Sequence, residues 1–194
     1  MSIGRGVILL AGVLTCATAS DAFCGGDVFF LFGKRTLDSD AKPVEDQDVY
    51  GITAIFRKDS WPISLRLGAE LSNSKGTGID TIIGDFEAKG DLMEAYIGVD
   101  KVWENLGHTR PYFGGGASIL AAQFEIKELT TDLGTDDDDT IFAPYLNAGV
   151  FWRFGKGFNV GVGVRYLFFA EAVLFDQGLD VNYLQYNGLI GWGW

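Results

Sequence analysis

The sequence predicts an all-β protein: an eight-stranded antiparallel up-and-down transmembrane β-barrel. Three observations support this prediction. Apolar and polar residues alternate with a period of two along most of the chain, as on strands whose two faces meet different surroundings. Short and long connections follow one another alternately between these segments. Beyond the N-terminal region, no stretch has the roughly 18 consecutive apolar residues of a transmembrane helix.

Residues 1–22, MSIGRGVILLAGVLTCATASDA, predict a secretory signal peptide. A positive charge at Arg5 precedes an apolar run that is too short to cross a bilayer, and small residues follow it. We expect cleavage near Ala19 or Ala22, and a single exported domain over residues 23–194.

The two cysteines of the sequence predict no disulfide within the mature chain. Cys16 lies in the signal peptide, so only Cys24 remains after cleavage. Lipid attachment is an alternative, although neither cysteine follows the small residue that a lipoprotein signal carries.

Eight segments show the alternation. In ISLRLGAEL, which begins at Ile63, every second residue is apolar, and the residues between are serine, arginine, glycine and glutamate. The segments span residues 27–37, 47–58, 62–73, 91–103, 111–126, 141–154, 158–170 and 181–194. They exceed the common strand length of about five or six residues and match the roughly 9–11 that a tilted strand needs to cross a bilayer.

The lengths of the connections predict an up-and-down topology. The sequences KDSW, ENLGHTR and GKG form three short turns. The long connections span residues 37–48, 73–91, 127–140 and 170–180. We therefore expect the short turns at one end of the barrel and the long loops at the other.

The less apolar face distinguishes a membrane barrel from a soluble, lipocalin-like one, which also has eight strands but faces its apolar side inward. In the last segment this face carries Gln185, Asn187, Gly191 and Gly193. Small residues mixed with a few polar ones suit a narrow interior, and the aromatic and branched residues opposite suit lipid. We therefore expect the polar face inside.

The chain resembles the small eight-stranded outer-membrane barrels of Gram-negative bacteria, the group of the OmpA membrane domain, OmpX and the opacity-type surface proteins. The resemblance rests on the signal peptide, the eight segments, the turn and loop asymmetry, and the aromatic end NGLIGWGW. It implies a bacterial outer-membrane location with the short turns in the periplasm. It also implies that Trp192 and Trp194 act as the signal for the barrel-assembly machinery, although the family usually ends in phenylalanine.

A barrel of eight strands has an interior that side chains fill, unlike a 16-stranded porin. Strand parity places six charged side chains inside: Arg66, Glu70, Glu94, Asp100, Arg153 and Arg165. Because charges removed from water need partners, we expect a salt-bridge network in the lumen. A narrow or gated ion path through this network is the alternative.

Negative charge is concentrated in the long connections. They contain 18 acidic and 4 basic residues, whereas the formal net charge of the whole chain is −11. This balance argues against nucleic-acid binding. The densest run, Asp136, Asp137, Asp138 and Asp139, offers oxygen ligands for weak Ca²⁺ or Mg²⁺ binding, but it lacks EF-hand spacing. Bound cations would bridge the loops to lipopolysaccharide.

These observations predict a monomeric, non-enzymatic protein with a structural and surface-interaction role carried by acidic extracellular loops. A lipid A-modifying enzyme is a further alternative, because enzymes of that class use small barrels. They depend on a histidine near the outer leaflet, and the only histidine, His108, falls in the predicted periplasmic turn ENLGHTR. We therefore assign no catalytic residue.

Overall fold

The computed structural model describes residues 25–37, 46–58, 60–80, 84–104, 106–128, 134–174 and 177–194. The predicted signal peptide with its cleavage sites, and both cysteines, lie outside these residues. No helix within the described residues is long and apolar enough to cross a membrane.

Ten β-strands make up the described chain. They are β1 (Gly25–Leu37), β2 (Asp46–Arg57), β3 (Ser64–Asp80), β4 (Gly84–Val102), β5 (Thr109–Glu128), β6 (Gly134–Phe154), β7 (Phe158–Leu167), β8 (Glu171–Leu174), β9 (Gln177–Asp180) and β10 (Tyr183–Gly193). Eight of them close an antiparallel barrel in the order β1-β10-β7-β6-β5-β4-β3-β2, and β8 pairs with β9 in a separate hairpin. The predicted eight-stranded up-and-down barrel is confirmed.

Strand β10 closes the barrel against β1. The pairing runs from Asp27 opposite Gly193 to Leu37 opposite Tyr183. Beyond it, the backbone nitrogen of Trp194 donates to the carbonyl of Gly26 at 3.1 Å. A closed barrel leaves no sheet edge with unpaired backbone groups, which lipid would not tolerate.

The short turns and both ends of the barrel chain meet at one end of the molecule, which we call the turn end. The turn after β4 contacts β6 there, because the backbone nitrogen of Arg153 donates to the carbonyl of His108 at 2.9 Å. The turn between β6 and β7 contacts the end of β10, because the nitrogen of Gly193 donates to the carbonyl of Gly157 at 2.8 Å. The longer connections lie at the opposite end, as predicted.

Two of the predicted long loops are largely strand. Strands β3 and β4 remain paired as far as Asp80 opposite Gly84, although residues 73–91 were expected to be a loop. Strands β5 and β6 likewise remain paired from Lys127 opposite Gly134, within the expected loop 127–140. These extensions are rich in Gly, Asp and Lys, which are uncommon in strands, but the backbone ladder does not require apolar alternation.

The last predicted loop, residues 170–180, contains the β8–β9 hairpin. The backbone nitrogen of Val181 donates to the carbonyl of Ala170 at 2.9 Å and joins the base of the hairpin. Strand β7 ends at Leu167, three residues before its predicted end, and Phe169 follows with a positive φ of 59°. This left-handed backbone turns the chain away from the barrel wall.

The outer wall of the barrel is apolar and the inner wall carries the charged residues. Phe142 is 69% exposed on the outside, and Phe30, Leu71 and Tyr186 are also exposed. The soluble, lipocalin-like alternative requires the opposite arrangement. A continuous apolar exterior around buried polar groups is the arrangement of a barrel in lipid.

Candidate functional site

Four charged side chains from four strands meet in the barrel interior; we call them the central ionic cluster. They are Arg35 on β1, Glu70 on β3, Glu94 on β4 and Arg165 on β7. An Arg35 Nη2 atom lies 2.6 Å from Glu94 Oε2 and 3.3 Å from Glu70 Oε2, and Arg165 Nη1 lies 2.6 Å from Glu70 Oε1. Both carboxylates have 0% side-chain exposure. The cluster therefore balances two positive and two negative charges away from water.

Neutral side chains complete the central ionic cluster. Gln185 Nε2 donates to Glu70 at 2.6 Å, and Tyr183 Oη donates to Glu94 at 2.7 Å. The guanidinium groups also stack on aromatic rings, with Arg35 3.8 Å from the Tyr183 ring centroid. Such additional contacts are needed before the attraction within a buried ion pair can offset the cost of removing its charges from water.

A second interior ion pair joins Arg66 and Asp100. The Nε atom of Arg66 lies 2.5 Å from Asp100 Oδ2. Asn147 Nδ2 donates to the other carboxylate oxygen at 3.2 Å, and the Arg66 guanidinium lies 4.7 Å from the centroid of the Tyr112 ring. Both charged side chains are buried.

The sixth predicted interior charge, Arg153, belongs to a third group at the turn end. Its side chain, which is 21% exposed, donates to the buried carboxylate of Asp27, and the side chain of Arg57 donates to the same carboxylate. Asn159 Nδ2 donates to Asp27 as well, at 2.6 Å. The six charges named from the sequence therefore fall into three groups rather than one network.

Three charged residues of these groups, Arg35, Asp27 and Arg57, were not predicted from the sequence. On β1, the inward positions Phe29 and Leu31 are as apolar as their outward neighbours, so the period-two signal that would assign Arg35 to the interior is lost. Counting in steps of two from Arg35 to Asp27 along an assumed strand would have placed both inside.

Two clusters of buried apolar and aromatic side chains pack in the interior. Along β1 the inward residues run from Asp27 at the turn end through Phe29 and Leu31 to Arg35 and then Leu37. The first, which we call the Phe29 cluster, consists of Phe29, Leu31, Val49, Ile55, Val102, Tyr112, Phe151 and Leu189. The second, which we call the Leu37 cluster, consists of Leu37, Leu92, Tyr96, Leu120, Ile141, Ala143, Tyr145, Leu167, Ala170, Val181 and Tyr183. Leu189, which interrupts the polar inner face of β10, therefore packs in the Phe29 cluster.

The only histidine of the sequence, His108, contacts the end of strand β6. His108 is exposed at the turn end, and its Nδ1 atom lies 3.1 Å from the carbonyl oxygen of Arg153. This contact, together with the backbone bond between the same two residues, joins the β4–β5 turn to β6.

The acidic run Asp136–Asp139 lies on β6, where its backbone pairs with residues 122–125 of β5. The side chains of the run lie outside the described part of the structure. Among the side chains that are described, no group of three or more His, Cys, Asp or Glu residues is placed to hold a metal ion. Cation binding by the run stays a prediction.

The tryptophans predicted to form the assembly signal face outward from the end of the chain. Trp192 and Trp194 are about half exposed, and the Trp194 ring packs edge-on against Phe56 with centroids 6.4 Å apart. A Cβ atom on Gly26 would lie 2.4 Å from the Trp194 ring, so this glycine makes room for the indole. The signal role itself stays a prediction.

No protein-family model matches the sequence, and no curated protein sequence matches it either. The fold is shared with solved structures. The outer membrane protein OprG from Pseudomonas aeruginosa matches with a TM-score of 0.58 and 13% identity, over 88% of this chain and 95% of that one. Ail, the attachment invasion locus protein of Yersinia pestis, in complex with the heparin analogue sucrose octasulfate, gives 0.52 and 11%, over 88% and 97%. Neisserial surface protein A gives 0.50 and 14%, over 87% and 95%.

These neighbours are small eight-stranded outer-membrane barrels, so the predicted resemblance is confirmed at the level of the fold. The outer membrane, where they reside, is also the location predicted for this chain.

Proposed function

We propose that the protein is a non-enzymatic outer-membrane barrel that anchors acidic outer segments for contact with lipopolysaccharide, divalent cations, host cells or neighbouring cells. The packing of side chains in the barrel interior supports this proposal. The carboxylates of Glu70 and Glu94 have 0% side-chain exposure at the level of the central ionic cluster. The Phe29 and Leu37 clusters fill the interior around them. A barrel whose interior has this packing offers its outer surface and its loops for function rather than a pore.

The β3–β4 and β5–β6 hairpins continue as paired strands into the segments that are rich in acidic residues. Pairing between β3 and β4 continues to Asp80 opposite Gly84, and pairing between β5 and β6 includes Glu125 opposite Asp136. The backbone of a paired hairpin has less conformational freedom than an open loop of the same length. We therefore infer that the acidic residues act as a surface of one sign rather than as separate flexible charges.

The sign of this surface indicates the chemistry of the partner. The solved Ail structure contains sucrose octasulfate, a heparin analogue. The long connections of the present chain have 18 acidic and 4 basic residues, and such a surface repels a polyanion. We infer that its partners are cationic groups, or anionic lipopolysaccharide reached through bound Ca²⁺ or Mg²⁺.

The proposal is tested on intact cells that carry either the wild type or a variant with Asp136–Asp139 replaced by four serines. Electrophoretic mobility of the cells and Ca²⁺-dependent cell aggregation are measured. We expect the serine variant to be less negative and to aggregate less with Ca²⁺. A control with four glutamates in place of the aspartates keeps the charge and should behave as wild type. Equal mobility and aggregation in all three strains would contradict the proposal.

Two further parts of the proposal concern assembly and partners. We infer that the barrel is inserted as a monomer by the barrel-assembly machinery, with the aromatic end at Trp192 and Trp194 as the segment recognised. The closed hydrogen-bond ladder supports the monomer, because no strand edge of the barrel is left to pair with a second copy. Cross-linking in intact outer membranes, with a single band at the monomer position expected, tests this part.

A further inference from the structure

A cavity of about 470 Å³ opens at the turn end of the barrel. Three arginines line its inner part, Arg57, Arg110 and Arg153, and two lysines, Lys58 and Lys101, line its rim. Glu104 also lines the cavity, and tryptophan rings complete its walls. We call this the turn-end cavity. Its volume falls within the range of about 300–1,000 Å³ that is common for small-ligand sites.

Among the side chains that the structure describes, positive charge exceeds negative charge around the turn-end cavity. Arg57 and Arg153 share the buried carboxylate of Asp27. Arg57 and Arg110 share the carboxylate of Glu104, with Arg57 Nε 3.3 Å from Glu104 Oε1. Three guanidinium groups therefore share two carboxylates, and the rim lysines add two more cations.

One donor at the cavity is unused within the part of the chain that the structure describes. The Nε atom of Arg110 is buried there without a hydrogen-bond partner. Arginine suits phosphate in particular, because its planar fork of donors matches two phosphate oxygens.

Tryptophan positions place the cavity at a membrane interface. The sequence has five tryptophans, and all of them lie at the turn end. Three line the cavity, Trp61, Trp103 and Trp194, and each is about half exposed. The other two, Trp152 and Trp192, are exposed on the outer wall of the same end. Exposed tryptophans mark the depth at which lipid headgroups meet the apolar core, so the cationic cavity opens at headgroup depth.

We propose that the turn-end cavity binds the phosphate of an anionic phospholipid in the leaflet on the turn side of the membrane. The excess positive charge attracts the phosphate and repels the ammonium group of a zwitterionic headgroup, so a lipid such as phosphatidylglycerol is preferred. Exposed Ile63 and Trp103 beside the cavity provide an apolar surface for the acyl chains of the same lipid. The inference requires a membrane-spanning barrel but is independent of the surface role proposed above.

Quenching of tryptophan fluorescence by brominated lipid tests the proposal, because three of the five tryptophans line the cavity and the other two lie on the outer wall of the same end. The purified protein is placed in phosphatidylcholine nanodiscs, which leave both ends of the barrel open to solvent. Increasing fractions of dibrominated phosphatidylglycerol or dibrominated phosphatidylcholine are then included. We expect stronger quenching by the anionic lipid. Lys58→Gln or Lys101→Gln should each lower this preference about fivefold, the factor that corresponds to ~1 kcal/mol per basic residue near an anionic surface.

Lys156→Gln is the matched control, because Lys156 is exposed in the β6–β7 turn at the same end and does not line the cavity. It should keep the wild-type preference. Heat-modifiable gel mobility verifies that each variant is folded. Equal quenching by the two lipids would overturn the proposal, as would an equal loss in Lys156→Gln and Lys58→Gln. Removal of the preference by added inorganic phosphate would show a site for water-borne phosphate instead of lipid.

Discussion

The guanidinium group of Arg35 lies 2.6 Å from the carboxylate of Glu94 in the interior of the barrel, although 59 residues separate them in sequence. Strands β1 and β4 are not neighbours in the barrel, so this ion pair crosses the lumen. The pair therefore connects two strands that are three positions apart in the barrel, in addition to neutralising both charges.

Glu94→Gln should destabilise the barrel strongly. The substitution leaves the positive charges of Arg35 and Arg165 with Glu70 as the remaining carboxylate of the cluster, and breaking a buried pair from one side costs about 3–5 kcal/mol. Urea unfolding, followed by gel mobility of the folded and unfolded forms, measures the change. Lys156→Gln at an exposed turn is the control and should shift the free energy of unfolding by less than about 0.5 kcal/mol. Similar unfolding midpoints for Glu94→Gln and Lys156→Gln would contradict a stabilising role of the Arg35–Glu94 pair.

Gly68→Val should disturb the interior through Tyr96. A Cβ atom at Gly68 would lie 2.2 Å from the Tyr96 ring, whose face contacts the guanidinium of Arg165 at 3.7 Å. Overpacking of this kind costs about 1–3 kcal/mol, and displacement of the ring adds the loss of the cation–π contact. Gly155→Ala is a useful comparison, because nothing lies within 4 Å of its would-be Cβ, although its φ of 53° adds backbone strain. The valine variant should have the lower unfolding midpoint.

The wild-type protein should show no steady single-channel conductance in planar bilayers. The side chains of the central ionic cluster are buried, and the Phe29 and Leu37 clusters oppose the entry of hydrated ions. A 16-stranded porin, recorded under the same conditions, serves as the positive control. Repeated openings of one reproducible size from purified, folded protein would instead favour the gated ion path.

Deletion of residues 192–194 should impair assembly in the outer membrane. The deletion removes the pairing of Trp194 with Gly26 and the packing of the Trp194 ring on Phe56. The seam, by which we mean the paired edge between β1 and β10, is therefore shortened at the turn end. The measurement is the fraction of protein in outer membranes that shows heat-modifiable mobility. Trp194→Phe keeps an aromatic end and should assemble normally. Full assembly of the truncated chain would contradict both the seam argument and the predicted signal.

Period-two alternation predicted the fold because the lipid and the lumen impose opposite demands on the two faces of every strand. The prediction was wrong where that contrast ends. Residues 73–80 of β3 and residues 134–140 of β6 carry no period-two alternation, so the pattern predicts loops where the backbone is paired as strand. The interior was harder to predict for a related reason, because Phe29 and Leu31 are apolar on an inner face that was expected to be polar.

Side-chain partnerships in the interior depend on the register and stagger of the strands, which the alternation does not report. Parity alone could not show that Arg153 is near Asp27 rather than near Glu70. It also could not show which of the inward acids each arginine contacts, because the cluster joins strands that are distant in sequence.

The seam between β1 and β10 sets the order in which the barrel can be completed. Arg35 Nε donates to Gln185 Oε1 at 2.8 Å across this seam, and the two residues are 150 positions apart. Contacts at such sequence separation carry a large loop-closure entropy and form late. Until β10 pairs, β1 presents an open edge and Arg35 lacks one of its partners, so we expect the junction of the first and last strands to close last.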